Sequence, residues 1–279
     1  MKELVQLREP AVAGQFYPGR KSELVEEITR CFRSPLGPGD SEPPKVSDKR
    51  TIVGAVAPHA GYVYSGPVAA HLYRKLWSQE MPATVVILGP NHTGYGAGLA
   101  VTTEDFMTPL GVVRIDDELV AKLVGDGIMN DYVAHAYEHS IEVQLPFMQY
   151  IGWESKIVPL CVGIHEYGEL KEAGRRLGKA ISGRDDVLVI ASSDMSHYVP
   201  ARTAKELDGK AINAILSLDS KKLYDTIFSN NITMCGFGPT IIMMESVKGA
   251  RATLLKYATS GDVHPMRDVV VYASIAIEK

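Results

Sequence analysis

Cysteine is scarce in this chain, with three in 279 residues at Cys31, Cys161 and Cys235. An odd number at wide spacing excludes a disulfide framework and fits a reducing compartment. Long apolar runs are missing too. None approaches the length that spans a bilayer, and the opening residues Met1 to Gln6 carry no apolar signal core. The expectation is a cytoplasmic protein with no membrane partner. Positive charge is not in excess either, since 29 Lys and Arg stand against 33 Asp and Glu for a formal charge of -4. A nucleic-acid binder normally shows a basic patch or stripe, so no nucleic-acid partner is expected. Two common catalytic signatures are absent. Gly94 to Gly98 is glycine-rich, but it neither leads directly into a helix nor carries a Walker lysine. No Gly-x-Ser-x-Gly elbow is present; Ser192 and Ser193 lie near His197, so a serine hydrolase is conceivable, but neither sits in a recognisable elbow.

What is present is apolar residue in strand-sized portions. The chain is 46% hydrophobic, enough to bury a large core, and no repeat or composition break divides it. One domain over 1–279 is expected. Residues 34–49, with Pro35, Pro38, Pro43 and Pro44, form a surface loop, and what precedes it is too short for a domain. Before that loop, residues 10–20 look irregular, and Ser22 is placed to cap a helix running to Arg33. Strands are expected at 51–57, 83–88, 99–102, 112–115, 156–162, 187–191, 252–258 and 269–277. Helices fall between them, at 66–77, after a cap at Asp116, at 140–150 with a kink at Pro146, at 166–181, 203–216, 220–228 and 240–247. Strands alternating with helices define a layered α/β/α fold. The last two strands lack an intervening helix, so the central sheet is expected to be mixed.

Three apolar strands end in polar, metal-competent side chains. His59 follows the first, His92 the second, and Asp194 with His197 a later one. Open α/β sheets bind ligands just outside the carboxyl ends of such strands, and parallel neighbours would bring these loops to one edge. Imidazole and carboxylate together suit non-haem iron and also zinc. Cys235 precedes a helix start at Pro239, where a thiolate or a metal-bound sulfur is favoured. Glu138-His139-Ser140 could supply another histidine or a carboxylate. Each residue also has a structural reading: Asp194 as a turn cap, Cys235 as a small buried apolar group, His139 as a helix-end residue. His71 looks structural, and His135, His165 and His264 lack supporting partners.

The chain resembles the Memo family. The resemblance is carried by Ala11-Val12-Ala13-Gly14-Gln15-Phe16-Tyr17-Pro18, Ala57-Pro58-His59-Ala60-Gly61-Tyr62, Leu88-Gly89-Pro90-Asn91-His92, the run Glu138 to Phe147, Ser192-Ser193-Asp194-Met195-Ser196-His197-Tyr198, and Cys235-Gly236. These stretches span nearly the whole chain. The resemblance implies a three-layer α/β/α fold with a mixed central sheet, similar to the class III extradiol dioxygenases. Those enzymes hold Fe(II) with two histidines and a glutamate and use a further histidine as acid/base. By resemblance His59 and His92 match the metal ligands and His197 the acid/base position, with Asp194 beside it; His139 is a further candidate catalytic residue for handling protons. Cys235 stands where the ligating glutamate would be. Thiolate for carboxylate softens the site and favours Cu(I) or zinc more than a carboxylate does. The implied cofactor is Fe(II), with copper or zinc as alternatives. The implied activity is that of a metal-dependent oxidoreductase acting on a small molecule. The alternatives are a non-catalytic pocket that receives a peptide or handles a metal, and hydrolysis by zinc-bound water. In animal relatives the family is linked to a phosphotyrosine receptor segment and to iron or copper handling. Oligomeric state is open.

Overall fold

The computed structural model describes residues 7–46 and 49–279. The N-terminal hexapeptide and two residues of the proline-rich loop, 47–48, lie outside them. The first half of the chain runs β1 (Leu7–Arg8), α1 (Lys21–Arg33), β2 (Ile52–Ala57), α2 (Tyr62–Trp77), β3 (Thr84–Pro90), β4 (Leu99–Val101), β5 (Asp105–Thr108), β6 (Gly111–Val113), α3 (Asp117–Leu123), β7 (Met129–Asn130) and α4 (Leu145–Tyr150). It continues with β8 (Lys156–Val162), α5 (Tyr167–Ala180), β9 (Val187–Ser192), β10 (His197–Pro200), α6 (Ala201–Leu216) and α7 (Ser220–Ser229). The last elements are α8 (Phe237–Ser246), β11 (Arg251–Thr259), α9 (Ser260–Val263) and β12 (Asp268–Glu278).

Among the described residues the main sheet has nine strands, in the order β10-β12-β2-β9-β3-β8-β4-β7, with β11 paired along β12. The central strands β2, β9, β3 and β8 are parallel neighbours. Every residue of β2, β3 and β9 is buried, as expected of strands covered on both faces. β12 runs antiparallel to both β2 and β11, and β4 antiparallel to β8. The sheet is therefore mixed, and the fold is three-layer α/β/α. Helix α2, backed by α1 and α4, covers one face, while α8, backed by α5 and α7, covers the other. A second small sheet joins β1, β5 and β6. Among the described residues no helix is long and apolar enough to cross a membrane.

Several boundaries differ from the sequence reading for identifiable reasons. Helix α1 begins at Lys21 with Arg20 at its N-cap and no side-chain cap, so Ser22 does not take that role. Helix α2 starts at Tyr62, not Gly66, and runs through Pro67. Val63, whose carbonyl loses its helical partner to that proline, is exposed to solvent, so the loss is tolerated. Pro146 does not kink a longer helix. Glu142–Gln144 is a 3-10 turn, and α4 begins beside Pro146, where a missing N–H costs nothing. Between β11 and β12 lies the short α9, closed by a capping box of Thr259 and Asp262.

Candidate metal centre

The parallel register fixes the site. Ala57 pairs with Ser192 across β2 and β9, and Leu88 pairs with Ala191 across β3 and β9. The three strands thus end together, and His59, Asp194 and His92 each lie two residues beyond a strand end on the same edge. A fourth contribution comes from the loop before α4. It brings His139 over this edge, so that one ligand atom from each of His59, His92 and His139 lies within 4.8 Å of the others. The His92 and His139 rings stack at 4.6 Å, and His59 meets both edge-on at 5.1 and 5.5 Å.

The hydrogen bonds around two of these rings determine which nitrogen is free. Ser192 Oγ donates to the Ser140 carbonyl at 2.6 Å and accepts from Gln144 Nε2 at 2.8 Å. Its one proton is therefore committed, and its contact with His59 Nδ1 at 2.9 Å has to be a bond donated by the imidazole. That tautomer leaves the His59 Nε2 lone pair unprotonated. The same holds for His92, whose Nδ1 donates to Glu138 Oε1 at 3.0 Å. Burial raises the Glu138 carboxyl, but the His92 hydrogen bond and charge, His139, and the Ser140 N–H more than offset it, holding it at about 2. Glu138 also accepts from the backbone N–H groups of His92, His139 and Ser140, at 2.6, 2.8 and 2.9 Å. Histidines whose second nitrogen is tied to a carboxylate or hydroxyl are the usual form of metal-ligating imidazoles.

Burial keeps His59 and His139 neutral. It pushes His59 well below the ordinary histidine range, reinforced by His92 and His139, and brings His139 to about 4 against the pull of Glu138. Neutral imidazole is the form that binds a metal. Cys235 Sγ lies 3.2 Å from His59 Nε2. Gly236 follows because a side chain there would collide with the Ser192 carbonyl and Ser193. Helix α8 begins only at Phe237, and burial, then the Asp194 carboxylate, raise the Cys235 thiol. Without a metal this sulfur is a thiol, not the thiolate expected of a helix N-terminus. Asp194 is buried and accepts the His59 N–H at 2.8 Å. Burial lifts its carboxyl above the usual range against the His59 and Ala60 backbone bonds. It fixes the His59 backbone and does not cap a turn of its own loop. His197 stands outside the triad, at the start of β10, with Nδ1 2.8 Å from the Thr233 carbonyl.

A cavity of about 190 Å³ opens beside the cluster, walled by His92, Cys235, Phe237, Ile164, Pro239 and His165. His165 had no supporting partner in the sequence; here its ring sits 5.8 Å from that of Phe237 in the cavity wall. Ser192 and Glu138 were not assigned their roles from sequence, because a hydroxyl or carboxylate that orients a ligand leaves no spacing signal. His135 is structural. It is buried with Nε2 2.9 Å from the Ala100 carbonyl. His71 is held similarly by the Leu36 carbonyl at 3.0 Å.

Fold and site together define a three-layer α/β/α protein with a histidine-lined pocket at the carboxyl edge of a mixed sheet. The chain belongs to the Memo-like protein family, whose model matches residues 8–276. It is 45% identical over 280 residues to a MEMO1 family protein of Methanosarcina mazei, covering 98% of this chain and 100% of that one. It is 47% identical over 282 residues to a MEMO1 family protein of Methanopyrus kandleri, covering 98% and 99%. Among solved structures, an uncharacterized protein of Escherichia coli K12, JW3007, shares the fold at a TM-score of 0.56 and 13% identity, over 82% of this chain and 100% of that one.

Proposed function

We propose that this protein binds one metal ion on His59, His92 and His139, with the Cys235 sulfur as a further donor, and presents it to a small ligand in the adjoining cavity. The observation that carries the reading is the triad of mutually close imidazoles whose tautomers leave Nε2 of His59 and His92 free. The donor set fits the group. It is nitrogen-rich and backed by Glu138 and Ser192. Fe(II) is the metal the family resemblance favours, with copper or zinc as alternatives that the sulfur would help to hold. When bound, such an ion supplies a Lewis acid or redox centre. The protein's part is to orient the ligand, and by the family resemblance His197 would be the group that carries protons. This is the reading of a non-haem metal-dependent oxidoreductase.

Anaerobic titration with Fe(II), Zn(II) and Co(II) tests it. One equivalent is expected for the wild type, with His59→Ala and His92→Ala each weakening binding at least about 100-fold through loss of a direct ligand. Cys235→Ala should weaken Zn(II) more than Fe(II). Equal, weak and non-stoichiometric uptake by all of them would end the metal reading. Turnover is separate: Fe(II)-dependent oxygen consumption lost in His197→Ala, with metal retained, supports an oxidoreductase.

A second reading has its own observation. Tyr95 and Tyr137 lie on the loops that carry His92 and His139, Tyr198 follows His197 in β10, and all three are exposed, Tyr198 at 78%. Tyr198 also holds a left-handed backbone at φ 55°, uncommon for a bulky side chain. Exposed aromatic side chains on the segments that bear the histidines suit a larger ligand such as a peptide. Peptide binding that survives chelation and falls in Tyr198→Ala would favour a binding protein over an enzyme.

A further inference from the structure

The stretch Ala11 to Pro18 reads as irregular chain, and nothing in the metal reading above uses it. In the structure it is tied down at every turn. Gly14, with φ 81°, closes a tight loop in which Gly14 N donates to the Tyr17 carbonyl at 2.7 Å and Phe16 N to the Val12 carbonyl at 2.9 Å. The Phe16 carbonyl accepts the N–H of Tyr62, three residues after His59, at 2.8 Å. The buried Glu142 carboxylate accepts the N–H groups of Ala11 and Val12, at 2.7 and 3.1 Å, and the Tyr17 hydroxyl. Arg8, also buried, pairs with Glu142 and donates to the carbonyls of His135 at 3.1 Å and Glu138 at 2.5 Å. One network thus joins residues 8–17 to the segment that delivers Glu138 and His139.

The product of this construction is the position of one ring. Phe16 packs on His139 at 4.7 Å between centroids, and His139 stacks on His92. His59 and His92 are each oriented by a hydrogen bond at Nδ1. The His139 ring has none among the described residues; its Nδ1 stands 3.4 Å from Glu138 Oε1. The terminal torsion of an imidazole is intrinsically broad, so an unbonded ring takes the orientation that packing imposes. For His139 the packing is Phe16, tilted against it, and the stacked His92, with His59 edge-on at 5.5 Å.

We propose that residues 8–17 are a clasp and that Phe16 is a positioning residue, holding His139 as the third imidazole of the site. The proposal rests on the metal reading above. It extends that reading by naming what orients the ligand that has no hydrogen-bonded partner of its own.

The test uses the full chain as Phe16→Ala, Phe16→Leu, His139→Ala and the Phe16→Ala/His139→Ala double variant. Two readouts are taken. In the metal-free protein, mass spectrometry follows the rate at which diethyl pyrocarbonate modifies His139. In the second, Co(II) is titrated and its visible absorption recorded as a report of ligand number. Phe16→Ala should speed modification of His139. It should also weaken Co(II) about 10–100-fold, the usual effect of losing an orienting neighbour, and give the absorption of His139→Ala. The double variant should bind no worse than His139→Ala, and Phe16→Leu, which still covers the ring, should restore most of the affinity. Additive losses in the double variant, or Co(II) binding by His139→Ala at wild-type strength, would overturn the proposal. So would unchanged His139 reactivity in Phe16→Ala, whatever that variant does to thermal stability. Failure of the wild type itself to bind Co(II) stoichiometrically would overturn the metal reading, whereas unchanged His139 reactivity with intact wild-type binding removes the clasp alone.

Discussion

Glu142→Leu is expected to destabilise the folded protein by about 3–5 kcal/mol, the range for removing one partner of a buried ion pair. Both side chains of the Arg8–Glu142 pair are fully inaccessible to solvent. Both oxygens of Glu142 are also used. Glu142 Oε2 accepts from Arg8 and the Ala11 N–H, and Oε1 from the Val12 N–H and the Tyr17 hydroxyl. The phenol is a dependable donor, because burial and then Glu142 push its pKa up. Leucine at 142 would leave a guanidinium buried over the Phe106 ring, 5.0 Å from its centroid, without a counter-charge. It would also leave two N–H groups and a hydroxyl without acceptors, each a further penalty. The comparison that isolates the ion pair is Arg8→Met/Glu142→Leu. Without the orphan charge, the double variant should be more stable than Glu142→Leu alone. It should stay below wild type, because the carbonyls of His135 and Glu138 lose the donors Arg8 gave them. Urea unfolding with an unchanged m-value measures both. A loss under about 1 kcal/mol in Glu142→Leu would show that water reaches the pair and that the clasp is not a desolvated one.

That network also marks where the sequence stops being legible. β2, β3 and β9 could be read because strands buried on both faces are continuous apolar runs, and their ends are announced by Pro58, Pro90 and Ser192. From those ends His59, His92 and Asp194 follow by topology alone. His139 was found as a residue but not as a neighbour of His59. It arrives on a segment with no strand of its own, held by Arg8 from 134 positions away. A contact of that span has no periodicity to betray it. The Asp116 cap was legible because capping is local, and the Leu119 N–H does bond to its side chain at 3.0 Å. The Pro146 kink was misjudged for a similarly local reason. Whether proline breaks or begins a helix depends on where the preceding 3-10 turn ends, and here Glu142–Gln144 ends just before Leu145 and Pro146.

The second large effect is expected on acidification of the metal-free protein, and His135 is the residue through which to read it. Its ring lies under the small sheet, away from the cavity, and burial with the Arg8 charge holds it at about 4 despite the hydrogen bond to Ala100. In the unfolded chain the same ring takes a proton near 6.5. Between those values the unfolded state binds the extra proton, so stability rises with pH across the window and is lost as pH falls from 6.5 toward 4. A shift of that size amounts to about 3 kcal/mol at full extent, at 1.36 kcal/mol per pKa unit. His59 and His139, also held below the ordinary range, act in the same sense. Asp194 opposes them, because its carboxyl, raised to about 6, takes up a proton in the fold before the unfolded carboxyl does, so its contribution grows as pH falls from about 6 and is lost as pH rises. Below the histidine window Glu138 takes over, its depressed carboxyl costing stability as pH falls from about 4.5 toward 2. In His135→Gln the side-chain amide still donates to the Ala100 carbonyl but cannot titrate. Its stability at pH 7 should stay within about 1 kcal/mol of wild type, the scale of one retained hydrogen bond. Its slope between pH 6 and 4.5 should be shallower by about 1.4 kcal/mol per pH unit, the weight of one proton. Denaturant unfolding at several pH values in the presence of a chelator gives both numbers. An unchanged slope would mean that His135 takes its proton as readily in the fold as outside it, and acid lability would then belong to the metal centre alone.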